Sequence, residues 1–310
     1  MKAAVYTKTK TGKILEIIDV DTPIPKDNEV LLKIRAASVN PLDWRLKARR
    51  PGVDLAGEVV AVGNRATQCK LGDAVFGTGK GAFAEYACAP ESALAPKPPT
   101  LTFEQAACLP IAGLTALQGL RDTGKLLPGQ KVLINGASGG IGTFAVQIAK
   151  SLGAEVTGVC STRNVEMVRS LGADHIIDYT QQDFSLSGSK YHLVLDNVGN
   201  RTLLDFRTVM IPGGRCAMAG APKELLAVLT RLLEALARRL FLRQKFIFFL
   251  AKIRKHDLAK LSELMTTGKR TPVIDKSYPL NGAAAAIAYV ETGHARAKVL
   301  IVPSRIGDQE

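Results

Sequence analysis

The chain has 310 residues, 46% of them hydrophobic and 22% charged, which is ordinary for a globular protein and excludes a disordered one. Its length exceeds that of a usual single domain and predicts two. A net charge of +13 raises nucleic acid as a partner, but no recognition motif or set of stacking aromatics accompanies the basic residues, so no nucleic acid is expected. Five scattered cysteines (Cys69, Cys88, Cys108, Cys160 and Cys216), none in a C-x-x-C pair, read as reduced thiols. The opening Met1-Lys2-Ala3-Ala4-Val5-Tyr6 carries no apolar signal core, and no run of about 18 apolar residues follows, so a cytoplasmic protein is expected.

The first third sets short apolar runs between turn residues: Ala3 to Tyr6, Val30 to Arg35, Leu55 to Val62, Ala74 to Phe76 and Phe83 to Cys88. Punctuation by Gly, Pro, Asn and Asp predicts an all-β unit of short strands. Ala95-Pro96-Lys97-Pro98-Pro99 reads as a stiff connector leading out of it. From Pro128-Gly129 the rhythm changes: strand-like runs at Lys131 to Ala137, Glu155 to Ser161, His175 to Tyr179, Leu193 to Val198 and Arg215 to Ala221 alternate with helical stretches such as Ile141 to Leu152 and Val165 to Leu171. That alternation predicts βαβ units and a doubly wound parallel sheet. The tail from about His256 reads as one helix and a final strand, Lys298 to Val302.

The most informative segment is Gly136-Ala137-Ser138-Gly139-Gly140-Ile141-Gly142, between a strand and a helix. Glycine lets a backbone turn tightly and lets a pyrophosphate and the neighbouring strand approach closely. A helix starting near Ile141 would turn its free N–H groups and its positive dipole end toward phosphate. The spacing departs from the usual G-x-G-x-x-G, so a merely structural turn stands beside the dinucleotide reading. The same residues also satisfy G-x-S-x-G, the elbow of a serine hydrolase, with Ser138 as nucleophile and His256 or His294 as base. The β-rich unit in front and the ribose-side signature count against that reading.

An NAD site would carry an acid at the end of the second strand. The strand instead ends Val159-Cys160-Ser161-Thr162-Arg163-Asn164, and Glu155 lies about 20 Å back along it. Ser161 and Arg163 offer a hydroxyl and a guanidinium, the groups suited to a 2′-phosphate, and Asn164, which closes the stretch, is a further candidate for binding the cofactor. Helix capping is the alternative role for Ser161-Thr162-Arg163.

Several stretches together carry a family likeness: Ala37-Ser38-Val39-Asn40-Pro41-Leu42-Asp43-Trp44, Asp54-Leu55-Ala56-Gly57-Glu58-Val59, Gly72 to Gly77, Gly113-Leu114-Thr115-Ala116, the glycine turn, Asp196-Asn197-Val198-Gly199, and Gly293 to Val299. By these the chain resembles the medium-chain dehydrogenase/reductase superfamily, in its zinc-independent quinone oxidoreductase branch, over nearly its whole length. The resemblance implies an α/β protein with a GroES-like catalytic β domain (1–111), a Rossmann NADP-binding domain (112–254) and a C-terminal return to the catalytic domain (255–310), with the active site in the cleft between domains. It implies an NADPH-dependent enzyme, a homodimer, that transfers a hydride to a quinone or an α,β-unsaturated carbonyl. An NADPH-binding structural or regulatory protein with little turnover is the non-enzyme alternative.

Residue by residue, the resemblance places Asn40 against nicotinamide and substrate, Thr115 at the nicotinamide, Tyr179 on the adenine side, Asn197 and Val198 beside the nicotinamide ribose, and Gly220 where a strand end lets the ring approach. Turn stabilisation is the competing role for Asn40 and core packing that for Tyr179. Where zinc-dependent relatives hold metal ligands, this chain has Val39-Asn40-Pro41 and Val53 to Glu58, and no cysteine cluster, so no metal is expected. Relatives carry a longer loop where this chain has only Arg45 to Arg50, which implies a more open and more basic substrate mouth.

Lys223 to Lys255 holds nine basic residues against two acids, interleaved with leucine and phenylalanine. Arg231, Arg238, Lys245 and Lys252 recur every seven residues and would share a slowly drifting face of a continuous helix. Two expectations follow: peripheral contact with an anionic membrane through an interfacial helix, or a helix covering a sheet or subunit interface with its basic stripe solvated.

Overall fold

The computed structural model describes residues 1–9, 12–45, 48–219, 243–266 and 270–303. They form two compact units, Met1–Leu114 together with the stretch from Ile253 onward, and Thr115–Lys252.

The first unit opens with a hairpin of β1 (Lys2–Thr9) and β2 (Gly12–Asp19). Five strands of a seven-stranded sheet follow, β3 (Glu29–Ser38), β4 (Asp54–Val62), β5 (Ala74–Thr78), β6 (Tyr86–Pro90) and β7 (Leu94–Pro96), the other two coming from the end of the chain. Strand β3, in which Val30–Leu32, Ile34 and Ala36–Ser38 are buried, lies at the centre of this sheet, bonded to β4 and β6. The one-turn helix α1 (Leu42–Arg45) leaves β3, and α2 (Phe103–Ala107) starts on a capping box between Thr102 and Gln105. Helix α3 (Pro110–Gln118) carries the chain on.

The second unit is a wholly parallel sheet of β8 (Lys131–Asn135), β9 (Glu155–Cys160), β10 (His175–Asp178), β11 (Tyr191–Asp196), β12 (Met210–Met218) and β13 (Lys245–Phe248). Its order, β10-β9-β8-β11-β12-β13, is the 3-2-1-4-5-6 order of a Rossmann fold, with crossover helices α4 (Gly140–Ser151), α5 (Val165–Ser170) and α6 (Leu203–Thr208). The strand order reverses between β8 and β11, and ligands of such sheets bind outside the carboxyl ends at that point.

The chain then returns to the first unit with α7 (Lys255–Thr266), β14 (Ile274–Pro279), α8 (Ala283–Glu291) and β15 (Lys298–Val302). Strand β15 pairs antiparallel with β3, placing Leu300 opposite Ser38.

Four local expectations are corrected. Residues 94–96 are an edge strand on β5 rather than a connector, a position where proline costs no ladder bond. Gly12–Asp19 is a strand, and the tail has a second helix and a further strand. The continuous helix predicted from Lys223 to Lys255 does not exist over its described part: Lys245–Phe248 is the sixth sheet strand, with Phe246 and Phe248 packed on the unit's core. Lys252 beyond it is held by its backbone, which exchanges two hydrogen bonds with the Gln118 side chain. The rest of that stretch, through residue 242, and Gly220 lie outside the described residues.

Candidate functional site

In the second unit the glycine turn is built so that backbone, not side chain, lines its surface. Gly136 has φ +77°, and a Cβ there would lie 2.7 Å from the Val198 Cγ2 methyl. A Cβ on Gly142 would lie 2.0 Å from the Gly136 carbonyl oxygen. Gly139 precedes α4 and offers no side-chain cap, so the N-terminus of a twelve-residue helix presents its first N–H groups and dipole at Gly140, Ile141 and Gly142. Gly139 itself would admit a Cβ, whose nearest neighbour lies at 3.5 Å.

Of the residues expected on the ribose side, Ser161 and Asn164 meet. Asn164, 4% exposed, donates from Nδ2 to Ser138 Oγ and to Ser161 Oγ, both at 3.1 Å, and so ties the turn to the end of β9. Its Oδ1 is buried with no partner, an acceptor left for a ligand hydroxyl or water. Arg163 is exposed in the short turn at Thr162–Asn164. Tyr179 is 55% exposed, which removes core packing as its role. An acid unforeseen from the strand end comes from the next strand: Asp178 stands opposite Cys160 in register. Its carboxylate accepts from the Thr162 hydroxyl at 2.6 Å and from the Thr180 hydroxyl at 2.8 Å, and the Thr162 bond above all holds it below the usual carboxylate range.

At the switch point Asn135 and Asp196 face each other across β8 and β11. Asn135 Nδ2 donates to Asp196 Oδ1 at 2.9 Å and to Asn200 Oδ1 at 3.1 Å, while Asp196 Oδ1 also accepts from the Val198 and Gly199 amides. Asn197 Nδ2 donates to the Asn135 carbonyl at 3.1 Å and leaves its own Oδ1 buried and unpartnered, as is Asp196 Oδ2. Val198 is 44% exposed beside the turn, and Thr115 is 7% exposed on α3. Asn135 was not legible as a site residue; its only signal is its place directly before Gly136.

In the first unit Asn40 is part of a closed polar cluster. Its Nδ2 donates to Asp54 Oδ2 at 2.9 Å and to the Ser38 carbonyl at 3.3 Å, and its Oδ1 accepts from Lys298 Nζ at 2.7 Å. Asp54 is fully buried; it also accepts from the Ser38 hydroxyl and the Ile111 amide, and Lys298 Nζ lies 3.8 Å from its Oδ2. Burial pushes the Asp54 carboxyl up, and the Lys298 ammonium is the main force opposing it. Asp43 accepts the backbone amides of Asn40 and Gly52, yet burial and the nearby Asp54 push its pKa up to about 7. Ala297, directly before Lys298, holds φ +57°, a conformation that costs a non-glycine residue about 1 kcal/mol or more.

These residues do not fit a zinc ion. Among the described residues no three His, Cys, Asp or Glu side chains stand together as metal ligands, and the ammonium of Lys298 occupies the space beside Asp54 and Asn40. Ser138 lacks the strained positive φ of a nucleophile elbow, and its hydroxyl is bonded to Asn164.

Residues 26–99 match the alcohol dehydrogenase GroES-like domain family, and residues 171–301 the zinc-binding dehydrogenase family. The chain is 34% identical to the chloroplast envelope quinone oxidoreductase homolog of Arabidopsis thaliana, over 93% of this chain and 94% of that protein. It is 32% identical to an NADPH-dependent alkenal/one oxidoreductase of the same plant, over 98% of this chain and 80% of that one. The solved quinone oxidoreductase of Coxiella burnetii superposes with a TM-score of 0.86 at 29% identity, over 98% of this chain and 99% of that one. A GroES-like β unit joined to a Rossmann unit defines a class of two-domain oxidoreductases. Within it, this chain belongs to the medium-chain dehydrogenase/reductase superfamily.

Proposed function

We propose that the protein binds NADPH and reduces a quinone or an α,β-unsaturated carbonyl. The observation that carries the reading is the turn at Gly136–Gly142, which excludes Cβ atoms at Gly136 and Gly142 in front of an uncapped helix start. Relatives named as quinone and NADPH-dependent alkenal/one oxidoreductases support it. The bound cofactor supplies the hydride. The chain's part is to hold and orient: α4 and its turn take the pyrophosphate, Ser161, Arg163 and Asn164 the 2′-phosphate side, and Tyr179 the adenine. Thr115, Asn197, Val198 and Gly220 receive the nicotinamide end, and Asn40 orients the acceptor. Acceptors that are already electrophilic suit a site whose residues do not form a zinc ligand set.

NADPH oxidation followed with a panel of quinones and alkenals tests this reading. Acceptor-dependent oxidation supports it. Saturable NADPH binding without turnover on any acceptor would make the protein a cofactor-binding regulatory one. We further propose a cytoplasmic homodimer, checked by fractionation and light scattering. Peripheral membrane contact now rests on residues 223–242 alone, and sedimentation with anionic but not neutral vesicles, weakening with salt, is its test.

A further inference from the structure

We infer that Lys298 is the positioning residue of the active site: its buried ammonium fixes the sense and place of the Asn40 side-chain amide. The inference rests on the reading that Asn40 orients the acceptor.

An asparagine amide can be turned over with little steric change, so its sense is set by what its two ends meet. Here both ends are determined. Nδ2 meets the Asp54 carboxylate and the Ser38 carbonyl, which only accept, and Oδ1 meets the Lys298 ammonium, which only donates. Both Nδ2 protons are spent inside the protein. What Asn40 keeps for a ligand is one lone pair of Oδ1, so it holds the carbonyl oxygen of a quinone or enone through a water that donates one hydrogen to Oδ1 and the other to that carbonyl.

Lys298 acts on this geometry twice. It donates directly to Oδ1, and its charge favours the ionised, purely accepting form of Asp54. Without the ammonium a buried Asp54 would take a proton, become a donor as well, and bond either end of the amide. The backbone supports the same assignment from another direction. Lys298 is 3% exposed, and the left-handed residue Ala297 directly precedes it, strain of a kind that accumulates where a side chain must be aimed. A lysine needed only to fill the space could be replaced by methionine of nearly its length; a lysine that orients Asn40 could not.

The test uses the full chain with NADPH and a quinone acceptor. It measures kcat, acceptor KM and NADPH Kd for the parent, Asn40→Ala, Lys298→Met, Lys298→Arg and the double variant Asn40→Ala/Lys298→Met. The expected result is a loss of about tenfold in kcat for each single alanine or methionine variant, from misorientation of the acceptor, with NADPH Kd within about twofold of the parent. The double variant loses no more than the worse single one, because both remove the same contact. Lys298→Arg, which keeps charge and donors, recovers most of the loss. If Lys298→Met does not fold, Lys298→Gln takes its place in the cycle. Parent-like kcat in Lys298→Met, with Asn40→Ala impaired, overturns the positioning role and leaves Asn40 its own. Multiplying losses, or a loss expressed in NADPH Kd instead of kcat, also overturn it. Parent-like kcat in Asn40→Ala overturns the reading of Asn40 and this inference with it.

Discussion

The cluster around Asn40 in the first unit and the residues around the glycine turn in the second handle buried polar atoms in opposite ways. In the first, Asn40, Asp54 and Lys298 use one another up: both amide protons, both Asp54 oxygens and the ammonium all have partners. In the second, the residues around the glycine turn are left incomplete, with Asn164 Oδ1, Asn197 Oδ1 and Asp196 Oδ2 buried and unpartnered. A buried orphan acceptor costs about 1–3 kcal/mol, so three near one turn are expensive unless something arrives to satisfy them. The closed cluster is therefore a device for holding a group still, and the open one a device for receiving a ligand.

Breaking the closed cluster should give the largest effect. Asp54→Ala removes the acceptor used by Ser38, Asn40 and Ile111 and leaves the Lys298 charge uncompensated. Urea unfolding should show the first unit weaker by about 3–5 kcal/mol. A change under about 1 kcal/mol would mean that the cluster is not closed in solution. Next comes the turn of the open unit. Gly142→Ala sets a methyl 2.0 Å from a carbonyl oxygen, so the turn must open. Melting should report about 2–4 kcal/mol of lost stability, and fluorescence titration no saturable NADPH binding.

Arg163→Ala sharpens the comparison at an exposed side chain. NADPH affinity should fall by about 1–3 kcal/mol, the scale of a charge-assisted contact, while NADH affinity stays put. Equal loss for both cofactors would remove the 2′-phosphate assignment. The smallest effect is a slope. Because the folded pKa of Asp43 is raised to about 7, the folded chain keeps a proton that the unfolded chain has already released between about pH 4 and 7. Stability from this group accordingly falls as pH rises through that window, by at most about 1.4 kcal/mol per pH unit, and levels off above it. Paired melts of parent and Asp43→Asn at pH 6 and pH 8 check the sign: the parent should gain on the variant at the lower pH.

What was legible in the sequence tracks how local its cause is. The glycine turn, helix α4 and the β9 end are read from neighbours along the chain, since the constraints on Gly136 and Gly142 arise within a few residues. Lys298 looks like any strand-initial lysine, because the residue that gives it meaning, Asn40, stands 258 positions away. Asp178 was passed over as an acid near the end of β9 for a related reason: sheet register, not sequence, puts it beside Cys160. Strand β2 escaped notice because hardly any of it is buried, and α8 because its alanine-rich run, Ala283 to Ala286, shows no amphipathic period. The seven-residue spacing of cations near Lys245 favoured a helix, but β12 offers an open parallel edge there and tertiary pairing outweighed the pattern.

The return of the chain to its first unit sets an order of events at the ribosome. Strand β15 and Lys298 are translated after all of Thr115–Lys252, so the Rossmann unit has its full set of strands before the first unit has its cation. Until then the nascent first unit carries Asp54 and Asn40 with no counter-charge and β3 with one edge unpaired where β15 will dock. A chain released at residue 297 would thus hold every described strand of the nucleotide-binding half and a first half without Lys298 and β15.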